Sequence, residues 1–123
     1  MAKYKILVVE DETDNYLLIE AILDRYDIDL TRAINGKEAV KYHAETHPDI
    51  ILMDLKLPEM NGLEATKIIR SNDPTVPIIA VTSFAFDNDR REALSAGCND
   101  YIAKPYFVND FIDMLKKHNI KFD

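Results

Sequence analysis

The stretch Ile50-Ile51-Leu52-Met53-Asp54 decides the fold, because four consecutive apolar residues end abruptly at a carboxylate. Two further runs of the same kind are Ile6-Leu7-Val8-Val9 and Ile78-Ile79-Ala80-Val81. An unbroken apolar run of this length is typical of a strand that is buried on both faces, as in a parallel sheet covered by helices. The three runs therefore predict the centre of a parallel sheet.

Weaker strand patterns and helical patterns occupy the rest of the chain. Residues 28–33 alternate between apolar and polar, and residues 101–103 form a short apolar segment, so we expect both to be edge strands. The predicted helices cover residues 14–26, 36–47, 62–71, 87–97 and 107–119. Strands that alternate with helices predict right-handed βαβ units and an α/β fold, a doubly wound five-stranded parallel sheet with five helices on its two faces.

Composition and charge narrow the function classes. The chain has 123 residues, which fits one domain spanning residues 1–123, and 15 Lys and Arg against 22 Asp and Glu give a net charge of −7. An acidic surface repels nucleic acid and anionic lipid, so we expect neither as a direct partner. No apolar stretch reaches the roughly twenty residues of a membrane span and no cleavable signal is apparent, so we expect a cytoplasmic protein. The single cysteine, Cys98, is expected to be a small buried residue.

Polar and charged residues follow the strands at the edge where the carboxyl ends of parallel strands meet. These residues are Glu10, Asp11, Asp54, Thr82, Ser83 and Lys104. Three crowded carboxylates repel one another, and a divalent cation relieves that repulsion. Hard oxygen ligands without His or Cys select Mg²⁺ (or Mn²⁺). The acids taken alone also fit ordinary solvated loop residues.

Asp54 differs from the other acids because it ends a fully apolar strand. A carboxylate held there can attack phosphorus and form an aspartyl-phosphate. The phosphoryl oxygens then need neutralisation by Mg²⁺, by the Lys104 ammonium, and by the Thr82 hydroxyl or the Ser83 backbone N–H. A tight turn with a cis Lys104-Pro105 bond would aim the lysine, although most X–Pro bonds are trans. The sequence thus predicts a phosphoacceptor at Asp54.

Together these motifs resemble the receiver domain of two-component response regulators. The resemblance runs from about residue 4 to residue 119 and rests on Glu10-Asp11, Asp54, Leu57-Pro58, Met60-Asn61-Gly62, Thr82-Ser83 and Lys104-Pro105. It implies the flavodoxin-like strand order 2-1-3-4-5. It also implies that Asp54 receives its phosphoryl group from a phosphohistidine on a histidine kinase or histidine phosphotransfer protein.

The resemblance further assigns the metal ligands. Glu10, Asp11 and Asp54 would hold Mg²⁺ together with the backbone carbonyl of Lys56. The family often has Asp where this chain has Glu10, and the longer side chain would then reach the ion through water. Lys56 and Phe84 occupy the positions that tune phosphoryl hydrolysis in receivers, and neither offers a group to orient water. The resemblance therefore favours a long-lived phosphoryl group.

Other roles follow from the same resemblance. Thr82 would bind the phosphoryl oxygen, Lys104 would pair with it, and the bond before Pro105 would be cis. Thr82 and Tyr101 would form the switch, with the Tyr101 ring turning inward on phosphorylation.

Apolar residues cover almost the whole first predicted helix, which fits either deep burial or a docking surface for a four-helix kinase or phosphotransfer domain. The docking residues predicted on this second interpretation are Leu17, Ile19, Ile22 and Leu23.

Four alternatives stand beside a stand-alone receiver without an output domain. One is a receiver domain that belongs to a hybrid histidine kinase, although the unadorned start at Met1 favours the stand-alone form. Another is a degenerate interaction module that is not phosphorylated, and the intact Asp54, Thr82 and Lys104 argue against it. An aspartyl-phosphate phosphohydrolase would need a second acid where this chain has Lys56, and an FMN carrier would need a phosphate-binding loop where it has Glu10-Asp11-Glu12. We therefore expect a signalling domain that takes part in its own phosphorylation and does not turn over an external substrate.

Overall fold

The computed structural model describes residues 3–83 and 87–122, apart from the side chains of residues 87 and 88. The five strands are β1 (Tyr4–Val9), β2 (Ile28–Ala33), β3 (Ile50–Met53), β4 (Ile78–Thr82) and β5 (Asp100–Ala103). The five helices are α1 (Thr13–Leu23), α2 (Gly36–Thr46), α3 (Gly62–Asn72), α4 (Asp87–Ala96) and α5 (Val108–Lys117). Phe84, and with it the predicted effect of that residue on phosphoryl lifetime, lies outside the described residues.

All strand pairs are parallel, in the order β2-β1-β3-β4-β5. The predicted fold class and strand order are confirmed, and the two weaker strand patterns form the two edges. The register pairs Val9 with Ala33 on one side and with Met53 on the other, so β1 and β3 end at the same level of the sheet. Loops that leave these strands therefore begin side by side.

Both faces of the sheet are covered by helices. Ile51 and Met53 pack with residues of α2, α3 and α4, whereas Ile50 and Leu52 pack with residues of α1 and α5. Neighbouring residues of a strand point to opposite faces. The unbroken apolar run in β3 is explained by this arrangement, because every one of its side chains enters one of the two core layers.

Helix α1 differs from its prediction in length and in its exposed face. It ends at Leu23, three residues early, where the Tyr26 N–H donates to the Leu23 carbonyl at 3.0 Å and the Tyr26 ring packs edge-on against Phe122 at 4.5 Å.

Within residues 3–83 and 87–122, no helix combines the length and the apolar character needed to cross a membrane.

The α1 surface corrects the predicted docking residues. Ile19 and Leu23 are only 3% and 2% exposed, because they lie one turn apart and face the sheet. Ile22 is half-buried and packs against the same core layer. These residues belong to the core, so Ile19 and Leu23 offer no surface to a partner. Leu17 and Leu18 are the exposed leucines of the helix, at 48% and 49%.

Candidate functional site

A cleft of about 500 Å³ opens at the carboxyl edge of the sheet. Eight residues with predicted site roles line it, namely Glu10, Asp11, Asp54, Lys56, Thr82, Ser83, Lys104 and Pro105. They come from the ends of β1, β3, β4 and β5 and from the loops that follow. The cleft thus brings together every predicted metal-binding and phosphoryl-stabilising residue.

Asp54 lies at the floor of this cleft, directly after β3. Its backbone N–H donates to the Val9 carbonyl at 3.0 Å, which continues the sheet by one residue beyond the strand. One carboxylate oxygen accepts from the Lys56 N–H at 3.0 Å, and the other lies 3.2 Å from Lys104 Nζ. The carboxylate is therefore fixed by the backbone and by one cation, and it is buried although it borders the cleft.

Glu10 is held even more tightly. One oxygen of its buried carboxylate accepts from Lys104 Nζ at 2.6 Å, and the other accepts from the Glu12 N–H at 3.2 Å. Burial alone lowers the pKa of Lys104, but its hydrogen bond to Glu10 and the charges of Asp54 and Glu10 outweigh burial and raise it. Lys104 therefore remains an ammonium group at neutral pH, shared between the two buried carboxylates.

The acids also form a possible ligand set for a metal. Glu10, Asp11 and Asp54 each present a carboxylate oxygen, and the three oxygens lie within 4.8 Å of one another. Mg²⁺ prefers such hard oxygen donors, binds through few carboxylates and retains several waters. Asp11 is exposed, which leaves the cleft side of the site open to water. The donor set fits Mg²⁺, and Mn²⁺ by the same chemistry.

The loop after β3 is shaped by Asn61 and Gly62. The Asn61 side chain caps α3 by accepting from the Glu64 N–H at 2.9 Å, and the Gly62 N–H donates to the Leu55 carbonyl at 3.1 Å. A Cβ atom on Gly62 would collide with the carbonyl oxygen of Asp54. The glycine thus allows the start of α3 to press directly against the backbone of the acceptor residue.

Thr82 and Lys104 are aligned by the sheet itself. Thr82 ends β4, is buried and borders the cleft, and its carbonyl accepts from the Lys104 N–H at 2.9 Å. The Lys104-Pro105 bond is cis in the structure, as the resemblance implied. The hydroxyl-bearing residue and the ammonium-bearing residue therefore leave the sheet at adjacent positions.

Tyr101 lies apart from this cleft. Its ring packs against the core layer formed with α2, α3 and α4, and its hydroxyl is buried. That hydroxyl has no hydrogen-bond partner within residues 3–83 and 87–122. Burial, followed by the nearby charge of Asp89, raises the pKa of Tyr101. The ring thus occupies the side of the sheet that α2, α3 and α4 cover.

Some residues at the cleft carried no sequence motif. Leu18 and Tyr106 line it, and the Tyr106 ring stacks on Phe111 with the ring centres 5.0 Å apart. Arg32 donates to the backbone of the loop that carries Glu10. The sequence did contain a signal for this role. Residues 28–33 alternate, so Arg32 lies on the same face as Leu30, where an inward-facing apolar residue is expected.

A parallel sheet in the order 2-1-3-4-5 with an acidic cleft at its carboxyl edge is the architecture of receiver domains, a class of α/β domains. The family model for the response regulator receiver domain matches residues 6–116, and the chain belongs to this family. The chain is 38% identical over 115 residues to the polar-differentiation response regulator DivK of Brucella anthropi, covering 92% of this chain and 94% of that protein.

Solved structures agree with this assignment. The receiver domain of the sensor histidine kinase PA1611 from Pseudomonas aeruginosa, which has a magnesium ion coordinated in its active-site cleft, is 40% identical with a TM-score of 0.87, covering 94% of this chain and 97% of that chain. The response regulator domain of Thermotoga maritima CheB is 29% identical with a TM-score of 0.84, covering 97% and 98%.

Proposed function

We propose that Asp54 accepts a phosphoryl group from a phosphohistidine on a histidine kinase or histidine phosphotransfer protein. The observation that carries the proposal is a buried carboxylate at the end of a central strand, bordering a cleft and 3.2 Å from an ammonium group. In the reaction an oxygen of Asp54 forms a bond to phosphorus while the phosphorus–nitrogen bond breaks. The electron pair of that bond returns to the imidazole nitrogen, and the product is an acyl phosphate.

The chain supplies charge and orientation for this transfer. Glu10, Asp11, Asp54 and the backbone carbonyl of Lys56 would hold Mg²⁺, which neutralises the phosphoryl oxygens when bound. Lys104 offsets the negative charge that the phosphoryl group brings to Asp54. The Lys56 N–H fixes the orientation of the Asp54 carboxylate before the partner arrives.

Thr82 and Ser83 complete the proposed phosphoryl site. Thr82 offers a side-chain hydroxyl and Ser83 a backbone N–H, and both residues border the cleft. Thr82 also ends the strand that pairs with β5, with Ala80 opposite Tyr101. The Thr82 hydroxyl would be drawn toward the phosphoryl group, and the half-buried Tyr101 ring would move with it. Together these movements would change the α4 side of the sheet, through which the domain would contact its target.

The partner surface is proposed at Leu17 and Leu18 instead of the buried residues of α1. Both leucines are about half-exposed, and Leu18 also borders the cleft. A partner that delivers a phosphohistidine to Asp54 must cover the mouth of this cleft. An exposed apolar pair beside that mouth provides area for such a contact.

Two relatives bear on the organisation of the protein. The DivK relative is a response regulator covered over 94% of its length, which favours a stand-alone receiver. The PA1611 domain, which belongs to a sensor histidine kinase, favours the hybrid alternative at 40% identity. We propose the stand-alone form, because the match to DivK extends over nearly the whole of that protein. A cytoplasmic location is proposed with it.

The test of the phosphoacceptor is labelling by a small phosphodonor such as acetyl phosphate in the presence of Mg²⁺, followed by mass spectrometry. The wild type should gain one phosphoryl group, and Asp54→Asn should gain none. Asp49→Asn is the matched control, since Asp49 lies exposed at the opposite end of the same strand. Labelling of Asp54→Asn, or labelling that EDTA leaves unchanged, would contradict the proposal.

The partner surface needs a different measurement. Leu17→Asp should slow phosphotransfer from a phosphohistidine protein while acetyl phosphate still labels Asp54 at the wild-type rate. Leu94→Asp provides the control, because Leu94 is similarly exposed but lies on α4. Equal transfer rates in the two variants would place the contact elsewhere.

A further inference from the structure

We propose that Arg32 is a positioning residue that holds the loop carrying Glu10 and Asp11 in the geometry needed to bind a divalent cation. This inference rests on the proposed metal site and concerns a residue that touches neither the metal ligands' carboxylates nor the acceptor in the described contacts. Its basis is the set of atoms that the guanidinium group contacts.

The Arg32 guanidinium contacts two residues of the loop between β1 and α1 and the first residue of α1. Its Nε donates to the Glu10 carbonyl at 3.1 Å, and one terminal nitrogen donates to the Asp11 carbonyl at 3.1 Å. The other terminal nitrogen donates to the Thr13 hydroxyl at 3.3 Å. Glu10 and Asp11, whose backbone carbonyls accept these bonds, also supply two of the three carboxylates that could hold a metal ion, and Asp54 supplies the third.

The pairing of β2 with β1 explains why the Arg32 side chain lies on the face of the sheet that α1 covers. Arg32 pairs with Val8 across β1 and β2, and Ala33 after it points into the layer formed with α2, α3 and α4. Side chains alternate along a strand, so Arg32 points to the opposite face, toward α1. There its guanidinium carbon lies 5.1 Å from the centre of the Tyr16 ring.

This contact set is suited to fixing a backbone. A guanidinium group is planar and presents several donors in a rigid arrangement, and stacking on an aromatic ring restricts its rotation. The bond from Arg32 to the Asp11 carbonyl holds the backbone of a residue whose side chain is exposed. Mg²⁺ demands nearly ideal octahedral geometry at short ligand distances. Small displacements of this loop therefore change metal affinity strongly.

An electrostatic role and a positioning role of Arg32 predict opposite changes in metal affinity when its guanidinium group is removed. Loss of a positive charge near three carboxylates favours cation binding, so a purely electrostatic role predicts tighter metal binding. Loss of the contacts to the Glu10 and Asp11 carbonyls frees the loop, so a positioning role predicts weaker binding. The sign of the change therefore distinguishes the two.

The experiment titrates the intact protein with Mn²⁺ and follows the electron paramagnetic resonance signal of the free ion. Arg32→Met keeps the apolar stem and removes every donor, and Arg32→Lys keeps the charge but not the planar arrangement. Arg25→Met is the matched control, because Arg25 also lies over a tyrosine ring, Tyr26, at 5.3 Å but belongs to the turn after α1. Circular dichroism establishes that each variant is folded.

We expect Arg32→Met to bind Mn²⁺ about tenfold more weakly than the wild type, the magnitude typical of residues that support metal ligands. Arg32→Lys should also bind more weakly, and Arg25→Met should match the wild type. Hydrogen exchange of the amides of residues 11–13 without metal should be faster in Arg32→Met, which a change in charge alone would not produce.

Unchanged or tighter binding by Arg32→Met overturns the inference, as does wild-type affinity in Arg32→Lys. If Arg32→Met does not fold, Arg32→Lys decides by the same criterion. A wild type that binds no Mn²⁺ overturns the proposed metal site and the inference together. A wild type that binds normally beside variants of equal affinity overturns only the role of Arg32.

Discussion

Replacement of Lys104 by methionine should destabilise the metal-free protein substantially. The ammonium group is the cation that contacts both buried carboxylates, at 2.6 Å from Glu10 and 3.2 Å from Asp54. Removing one partner of a buried ion pair costs about 3–5 kcal/mol because it leaves an uncompensated charge. The cleft admits water, so the lower end applies, and we expect a loss of about 3 kcal/mol.

The assay is urea unfolding at pH 7 in EDTA. With a slope of about 1.5 kcal/mol per molar urea, this loss lowers the midpoint by about 2 M. Mg²⁺ should narrow the gap, because a cation held by the same carboxylates supplies the missing positive charge and stabilises the variant more than the wild type. Lys117→Met is the control: Lys117 lies 2.8 Å from Asp100, but its side chain is 66% exposed, so the loss should stay below about 1 kcal/mol.

The difference in stability between wild type and Lys104→Met should decrease only at high pH. The folded-state pKa of Lys104 is raised above 10.5, so its stabilisation is fully present below that pH and is lost as the pH rises further. The difference between wild type and Lys104→Met should thus stay constant from pH 7 to about 9.5 and shrink in stronger alkali. A difference below about 1 kcal/mol at pH 7, or one that Mg²⁺ leaves unchanged, would refute the reasoning.

Three further predictions use other parts of the fold. Burial raises the pKa of Cys98 to about 11, so at pH 8 Ellman's reagent should label it only after unfolding in urea, and rapid labelling of the native protein would contradict its burial. Hydrogen bonding, chiefly with His43 at 3.0 Å, lowers the pKa of Asp73 from 3.8 to about 2, which stabilises the fold above pH 3.8 and is lost as the pH falls toward 2. Asp73→Ala should cost about 1–2 kcal/mol by urea unfolding at pH 7 and less at pH 2.5, whereas an equal cost at both would contradict this. Gly62→Ala should lower the rate of labelling by acetyl phosphate about tenfold, because the added methyl group displaces the Asp54 backbone, and an unchanged rate by mass spectrometry would show that this backbone contact is dispensable.

The sheet and most of the cleft were predictable because their signals are local. An apolar run such as Ile50–Met53 indicates burial on both faces without knowledge of its neighbours. The parallel arrangement then brings the residues after each strand to one edge, so Asp54 and Lys104 could be placed together although fifty residues separate them. The structure puts both in one cleft, as that argument required.

The exposed face of α1 was not predictable in the same way. Apolar residues surround most of the helix, so its sequence does not define which side faces the sheet. Packing against the sheet buries Ile19 and Leu23 and leaves Leu17 and Leu18 exposed. The contacts of Arg32 depend similarly on the pairing of β2 with β1, which sets the distance between an arginine and a loop some twenty residues earlier in the chain.

The charges in the cleft suggest how phosphorylation would become a movement. Lys104 lies closer to Glu10 than to Asp54, so before phosphorylation it is held mainly by Glu10. A phosphoryl group on Asp54 would add negative charge there, and Glu10 would attract the ammonium less strongly once its carboxylate also held a metal ion. Both changes would draw Lys104 toward Asp54. Since the Lys104 N–H is bonded to the Thr82 carbonyl, we expect this shift to be transmitted to the ends of β4 and β5, the strand that carries Tyr101.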